Sequence, residues 1–164
     1  MTLGQRAFAY TTAGICALVA TWIASGWYHE RYMLGANLTD SLPQHLFLVK
    51  KGERPAPGDF IAFAVSGNAR QYPAGTVFIK VAVAVGGAKV EHRNGHAFVD
   101  GIDRGIIKTI DRKGQPLAEG RTGVIPEGAY YVWTPHSDSY DSRYSDIGFP
   151  GQDSGLVGKA YAIF

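Results

Sequence analysis

The chain divides near residue 30 into two kinds of sequence, and that division limits what it can fold into. No charged residue occurs from Ala7 to Tyr28, whereas from Asn37 onward short β-rich apolar runs are broken every few positions by Gly, Pro or Asn. As a helix the charge-free stretch rises about 33 Å, enough to cross the roughly 30 Å hydrocarbon core of a bilayer. A removable secretory leader has an apolar core of only about 7 to 15 residues and then a small-residue cleavage site, so the length predicts an anchor. Trp22, Trp27 and Tyr28 suit an interfacial belt. Thr11, Thr12, Gly14, Thr21 and Gly26 dilute the stretch, and a buried helix of a soluble domain is the competing expectation. Arg6 precedes the segment and Arg31 follows it, and the short N-terminal side predicts a cytoplasmic N-terminus over 1–6, a transmembrane anchor over 7–28 and one exported domain over 29–164.

Beyond Asn37 no stretch has a convincing helical period, so the domain is expected to be mainly β. Strands are predicted at 46–50, 59–65, 76–85, 129–134 and 156–164. Lys89–Arg93 and His96–Val99 flank Asn94-Gly95, a pair that readily takes the positive φ values of a type I′ hairpin turn. The polar stretch 111–123 reads as a surface excursion within one domain.

Composition excludes several functions. A formal net charge of +2, with Lys and Arg scattered and not interleaved with aromatics, gives no nucleic-acid footprint. Cys16 is the sole cysteine, so no internal disulfide or cysteine-based metal site can form. His29, His45, His92 and His96 lack a metal-ligand pattern with carboxylate partners, and neither metal nor cofactor is expected.

Lys80 stands inside the apolar run Thr76–Val85, where an ammonium loses solvation. Burial lowers a lysine's pKa, and the free amine becomes usable as a general base near neutral pH. A hydroxyl for it to act on lies upstream in Thr39-Asp40-Ser41-Leu42-Pro43. A serine hydroxyl is a poor nucleophile until a base removes its proton, and a neutral lysine amine can do so. Taken singly, each residue has a plainer reading: most serines are structural, and a lysine in a β run is commonly an edge or snorkelling residue. His136 with Asp138 or Asp141 is a rival base, but no Gly-x-Ser-x-Gly elbow accompanies it.

Four segments in order make the combination specific. Thr39-Asp40-Ser41-Leu42-Pro43 resembles the Ser-x-Ser-Met-x-Pro region of the type I signal peptidases. Pro57-Gly58-Asp59-Phe60-Ile61 is similar to that family's Gly-Asp-hydrophobic strand, and Phe78–Gly87 to the strand carrying its lysine base. Ile125-Pro126-Glu127-Gly128-Ala129-Tyr130, followed by Ser139-Tyr140-Asp141-Ser142-Arg143, resembles its Pro-x-Gly-x-Tyr strand and Ser-x-Asp-Ser-Arg block. Leu156-Val157-Gly158-Lys159-Ala160 is similar to its last strand.

The resemblance implies a signal-peptidase-like, LexA-like β fold and a Ser/Lys dyad of Ser41 as nucleophile and Lys80 as base. It also implies that Ser139 orients the Lys80 amine and that Asp141 and Arg143 form a supporting ion pair. The pair would share a face if the chain there is extended; its plainer reading is a surface salt bridge worth little. The Ser41 backbone N–H and Thr39 hydroxyl match the positions of oxyanion donors. Leu42, Asp40 and Thr134-Pro135-His136 depart from the housekeeping pattern, and these departures resemble the TraF branch, the conjugative-transfer peptidases. That branch implies a bacterial inner-membrane enzyme, catalytic on the periplasmic side, which cleaves and in some members circularises a pilin precursor. A general signal peptidase acting on many secreted precursors and a non-catalytic, membrane-anchored assembly factor are the alternatives. A LexA-like self-cleaving regulator would need a DNA-binding helical domain, which the sequence lacks.

Overall fold

A computed structural model describes residues 3–66, 69 and 72–164, excluding the side chains of residues 3 and 5–9. The chain forms two compact units, 1–32 and 33–164.

In the first unit, helix α1 (Leu3–Arg31) runs through the whole charge-free stretch without interruption. Among the described residues, however, no helix is long and apolar enough to cross a membrane. The anchor expected over 7–28 is therefore not carried by the structure. Threonine, glycine and aromatic residues lower its mean hydropathy, and the apolar side chains of residues 7–9 lie outside the described set.

The second unit is mainly β. Strands β1 (Tyr32–Ala36), β2 (Leu46–Lys51), β3 (Phe60–Ala64), β4 (Val77–Val85), β5 (Lys89–Arg93), β6 (His96–Val99), β7 (Ile102–Ile106), β8 (Gly123–Val124), β9 (Tyr130–Trp133) and β10 (Leu156–Ala162) follow in chain order. Six of them form one sheet in the order β1-β2-β10-β3-β4-β9, and the other four a smaller sheet in the order β7-β6-β5-β8. All five predicted strands are present, with ends that differ by one or two residues. Strands β1, β7 and β8 were not expected.

The large sheet buries both faces, because alternate residues of a strand point to opposite sides. Ile61, Phe63, Ala82, Tyr130 and Val132 pack on one side. Phe47, Val49, Ala62, Ile79 and Ala160 pack on the other, together with Leu42 from the turn before β2. Lys80 pairs with Ile61 across β3 and β4, so its side chain rises on the Ile61 face. Strand β9 pairs with β4 only from Val81 to Val85, across a bulge between Ala82 and Ala84. The stretch of β4 leading into Lys80 thus has β3 on one edge and no paired strand on the other among the described residues.

Asn94 and Gly95 take φ of 52° and 75°, as the hairpin between β5 and β6 requires. The 111–123 stretch does more than cover surface. Glu119 bridges to Tyr144, and the Gly120 N–H donates to the Arg143 carbonyl at 2.7 Å. A Cβ on Gly120 would sit 2.3 Å from the Ser142 carbonyl oxygen. Gly120→Ala must push this stretch off the 141–143 segment and is expected to cost about 1–3 kcal/mol. Thermal unfolding checks this, and an unchanged midpoint would refute the close approach.

Candidate active site

The turn from Asn37 to Gln44 and the first half of β4 bring a serine and a lysine together. Ser41 and Lys80 are 8% and 5% exposed. The Lys80 ammonium donates to Ser41 Oγ at 3.0 Å and to Ser139 Oγ at 3.1 Å. Ser41 is held in place by its neighbour Leu42, whose side chain is buried in the core on the Phe47 face of the large sheet. Lys80 is held by a strand with no freedom to turn it outward. Burial lowers its pKa from the ordinary 10.5 to about 8; the Asp141 carboxylate pulls it back up and the Arg143 guanidinium pushes it down, each by less. The amine is therefore neutral in about one molecule in ten at pH 7, far more often than an ordinary lysine, and a neutral amine can accept the serine proton.

Thr39 completes the group at Ser41. Its Oγ1 lies 2.8 Å from Ser41 Oγ and donates to Asn37 Oδ1 at 2.9 Å. The Asn37 side-chain amide in turn donates to the carbonyls of Thr39, Leu42 and Gln44 at 2.9, 3.0 and 3.2 Å. This one side chain therefore ties both ends of the turn that carries Ser41. Asn37 had no expected role; an asparagine two residues before a threonine, bonding back to the local backbone, is a turn signal that could have singled it out.

Ser139 is 2% exposed and lies in a turn that continues into Asp141 and Arg143. The expectation of a locally extended pair is corrected: the Tyr144 N–H donates to the Asp141 carbonyl, closing a turn. Within it, Arg143 Nε and Nη2 donate to the two Asp141 carboxylate oxygens, each at 2.9 Å. The reading as a surface salt bridge is also corrected, since both side chains are buried. Arg143 further donates to the carbonyls of Ile106, His136 and Ser139 at 3.2, 3.3 and 3.2 Å. The ion pair thus fixes the backbone of Ser139 and, through it, one of the two oxygens holding Lys80.

The rival histidine arrangement does not form. The Asp138 carboxylate accepts from Lys108 and Arg112, which hold it well below the usual carboxylate range. His136 Nδ1 accepts the Asp138 backbone N–H at 3.2 Å, and Asp141 is taken by Arg143. No cluster of potential metal ligands occurs among the described residues.

A cleft of about 530 Å³ opens over Ser41 and Lys80. Val77, Phe78 and Ile79 of β4, Leu38 and Thr39 from the turn before Ser41, and Tyr140 line it. Arg112, Lys113 and Leu117 place the 111–123 stretch at this cleft. A hydroxyl beside a buried amine, flanked by a partly unpaired strand edge, can take an extended chain and transfer its acyl group.

The family described as signal peptidase, peptidase S26, matches residues 6–164. The conjugal transfer protein TraF of Agrobacterium tumefaciens strain 15955 is 30% identical over 180 residues, covering 98% of this chain and 96% of that protein. The protein of the same name from Agrobacterium fabrum strain C58 is 30% identical over 145 residues, covering 78% of this chain and 80% of its own length. A crystal structure of a signal peptidase I from Enterococcus faecalis is 25% identical and superposes with a TM-score of 0.38 over 64% of this chain and 97% of that one. The chain is a TraF-like member of the type I signal peptidase family, peptidase S26.

Proposed function

We propose that this protein is a serine endopeptidase in which Ser41 and Lys80 form the catalytic dyad and which cleaves a pilin precursor during conjugative transfer. The observation that carries the reading is the 3.0 Å contact between the Ser41 hydroxyl and an amine buried beside it. The names of the relatives, conjugal transfer proteins, supply the biological setting.

In the proposed reaction, an extended segment of the precursor lies along the free edge of β4 at Val77–Ile79, where main-chain hydrogen bonding can hold it. The neutral Lys80 amine accepts the Ser41 proton as Oγ attacks the scissile carbonyl. The Ser41 backbone N–H and the Thr39 hydroxyl receive the charge developing on the carbonyl oxygen. Lys80 then returns the proton to the departing amine, leaving an acyl group on Ser41. Ser139 keeps the amine aimed at Ser41 through both transfers. Water attacking the acyl group gives a linear product, and the precursor's own amino group gives a circular one. Alanine-sized residues beside the scissile bond fit the walls near Ser41 and Lys80.

Helix α1 would hold the protein at the bacterial inner membrane, with the catalytic domain on the periplasmic side. The absence of charge from Ala7 to Tyr28 and the aromatic residues at its end support that placement. Alkaline extraction of membranes, with protease added to intact spheroplasts, checks both parts.

Three outcomes test the proposal. Ser41→Ala and Lys80→Ala should each abolish maturation of a co-expressed candidate pilin while leaving the domain folded; continued processing in either variant refutes the dyad. Intact-mass measurement of the product separates the two fates, since a circular product is lighter than the linear one by one water.

The third outcome is a pH effect with a defined sign. Activity should rise with pH through about 8 as Lys80 loses its proton. Because its folded pKa lies below the unfolded value, the unfolded chain binds more protons between about 8 and 10.5, and stability rises across that window. Below it the native state carries a penalty of at most about 3 kcal/mol. Lys80→Met should therefore be inactive yet more stable to urea at pH 7, with the gain shrinking as pH rises toward 10.5. A gain independent of pH would contradict the lowered pKa.

A further inference from the structure

Proton accounting around Ser41 assigns a task to a residue that touches neither the lysine nor the serine. The Thr39 hydroxyl has one proton and two neighbours, Asn37 Oδ1 at 2.9 Å and Ser41 Oγ at 2.8 Å. The orientation of the Asn37 amide is fixed by its surroundings. Its nitrogen faces the carbonyls of Thr39, Leu42 and Gln44, which a flipped amide would meet with an oxygen. Its oxygen faces the Thr39 backbone N–H at 3.3 Å as well as the hydroxyl. The only group that can accept the Thr39 proton without competing for Ser41 is thus the Asn37 oxygen.

We infer that Asn37 is a positioning residue that acts through Thr39: it holds Thr39 Oγ1 beside the reacting oxygen and keeps its proton off Ser41 in the resting site. This rests on the dyad proposed above. With the Thr39 proton on Asn37 and the Lys80 ammonium donating to Ser41 Oγ, the contact between Thr39 and Ser41 can form only with Ser41 as donor; once Lys80 is neutral, the Ser41 proton turns to its amine. Ser41 Oγ therefore keeps its lone pairs free of a hydroxyl donor that would blunt its attack. When the substrate carbonyl oxygen becomes negative, the Thr39 O–H turns from Asn37 to that oxygen by rotation about its C–O bond alone. No heavy atom moves, which is the economy a preorganised donor provides. Without Asn37, the Thr39 side chain is free to leave its rotamer or to place its proton on Ser41.

The amide plays a second, separable part. Its nitrogen ties the turn from 37 to 44, and its oxygen serves Thr39, so removing it costs both stability and rate. A double-mutant cycle separates the two. The full-length chain in detergent is mixed with N-acetyl-alanine p-nitrophenyl ester, and the burst of p-nitrophenolate gives the rate of acyl transfer to Ser41 without knowledge of the natural precursor. Thr39→Val should slow the burst by about 100- to 1,000-fold, the loss typical of one oxyanion donor. Asn37→Ala should slow it about 10- to 100-fold, as expected for displacement of a reacting group by about an ångström, with little change in KM. Combined, the two should be no slower than Thr39→Val alone within about threefold, while Asn37→Ala still lowers thermal stability in the Thr39→Val background, because the bonds from its nitrogen to the turn do not involve the Thr39 hydroxyl. Thr39→Ser, which keeps the hydroxyl, should restore the sensitivity to Asn37→Ala.

Equal fold-losses from Asn37→Ala with and without the Thr39 hydroxyl would overturn the inference and leave the dyad standing. A burst that persists in Ser41→Ala, or none in the unsubstituted protein, overturns the dyad and the inference together. If Asn37→Ala does not fold, the cycle is run with Asn37→Ser, whose hydroxyl can donate to a carbonyl of the turn but is too short to replace the amide oxygen at Thr39, so the rate loss should again vanish when Thr39 is valine.

Discussion

The buried pair of Arg143 and Asp141 is the interaction on which the site depends. An arginine taken out of water must satisfy a fork of N–H donors, and here the two carboxylate oxygens and the carbonyls of Ile106, His136 and Ser139 do so. The acceptors lie in two parts of the chain: the end of β7 and the loop after β9, which carries His136, Ser139 and Asp141. Fixing one guanidinium therefore ties that loop to itself and to β7. Removal of one member of such a pair commonly costs about 3–5 kcal/mol because it strands a buried charge. The pair also bears on the lysine by its near-neutrality. The carboxylate alone would raise the Lys80 pKa and keep the amine protonated; the guanidinium beside it opposes that field.

With the pair's fields opposed, burial is what lowers the Lys80 pKa, and burial in turn is a property of the sheet. Lys80 shares a face with Ile61 and Ala82, in a strand whose neighbours are apolar on that side. Among the described residues, its ammonium donates to the oxygens of Ser41 and Ser139. Two neutral hydroxyls satisfy donors without supplying a counter-charge, which is what a lysine needs to remain in place while staying easy to deprotonate. A carboxylate in either position would hold the proton.

Much of this was legible in the sequence, for definite reasons. A charged residue in the apolar run Thr76–Val85 conflicts with its strand unless it has partners, so Lys80 stood out; its ammonium lies 3.0 Å from Ser41 Oγ and 3.1 Å from Ser139 Oγ. Asn94-Gly95 predicted its hairpin because few residue pairs tolerate two positive φ values. Asp100-Gly101 carries the same signal and turns β6 into β7 with φ of 49° and 77°. Strand β7 was still missed, because Ile102-Asp103-Arg104-Gly105-Ile106 is half solvated and interrupted by glycine. The turn at Asp141–Arg143 was not foreseen, because spacing alone cannot tell a strand from a turn that folds an arginine back on an aspartate. The anchor was read from length and lack of charge, which establish a helix more firmly than they establish a membrane span.

What sequence could not supply is the placement of the 111–123 stretch. It looks like any polar loop, and its position is set by contacts far away in the chain: the Gly120 N–H on the Arg143 carbonyl, and Glu119 against Tyr144. These seat the loop on the backbone of the same turn that orients Ser139, so that Arg112 and Lys113 come to the cleft while Lys108 and Arg112 neutralise Asp138. The loop and the turn carrying Ser139 line one opening and are held there both by these hydrogen bonds and by packing, with Leu117 of the loop against the buried cluster of Ala97, Ile107 and Tyr144. The turn beside Lys80 and the strand that carries it are thus each fixed by contacts from distant parts of the chain, which is what holding groups to within a fraction of an ångström requires.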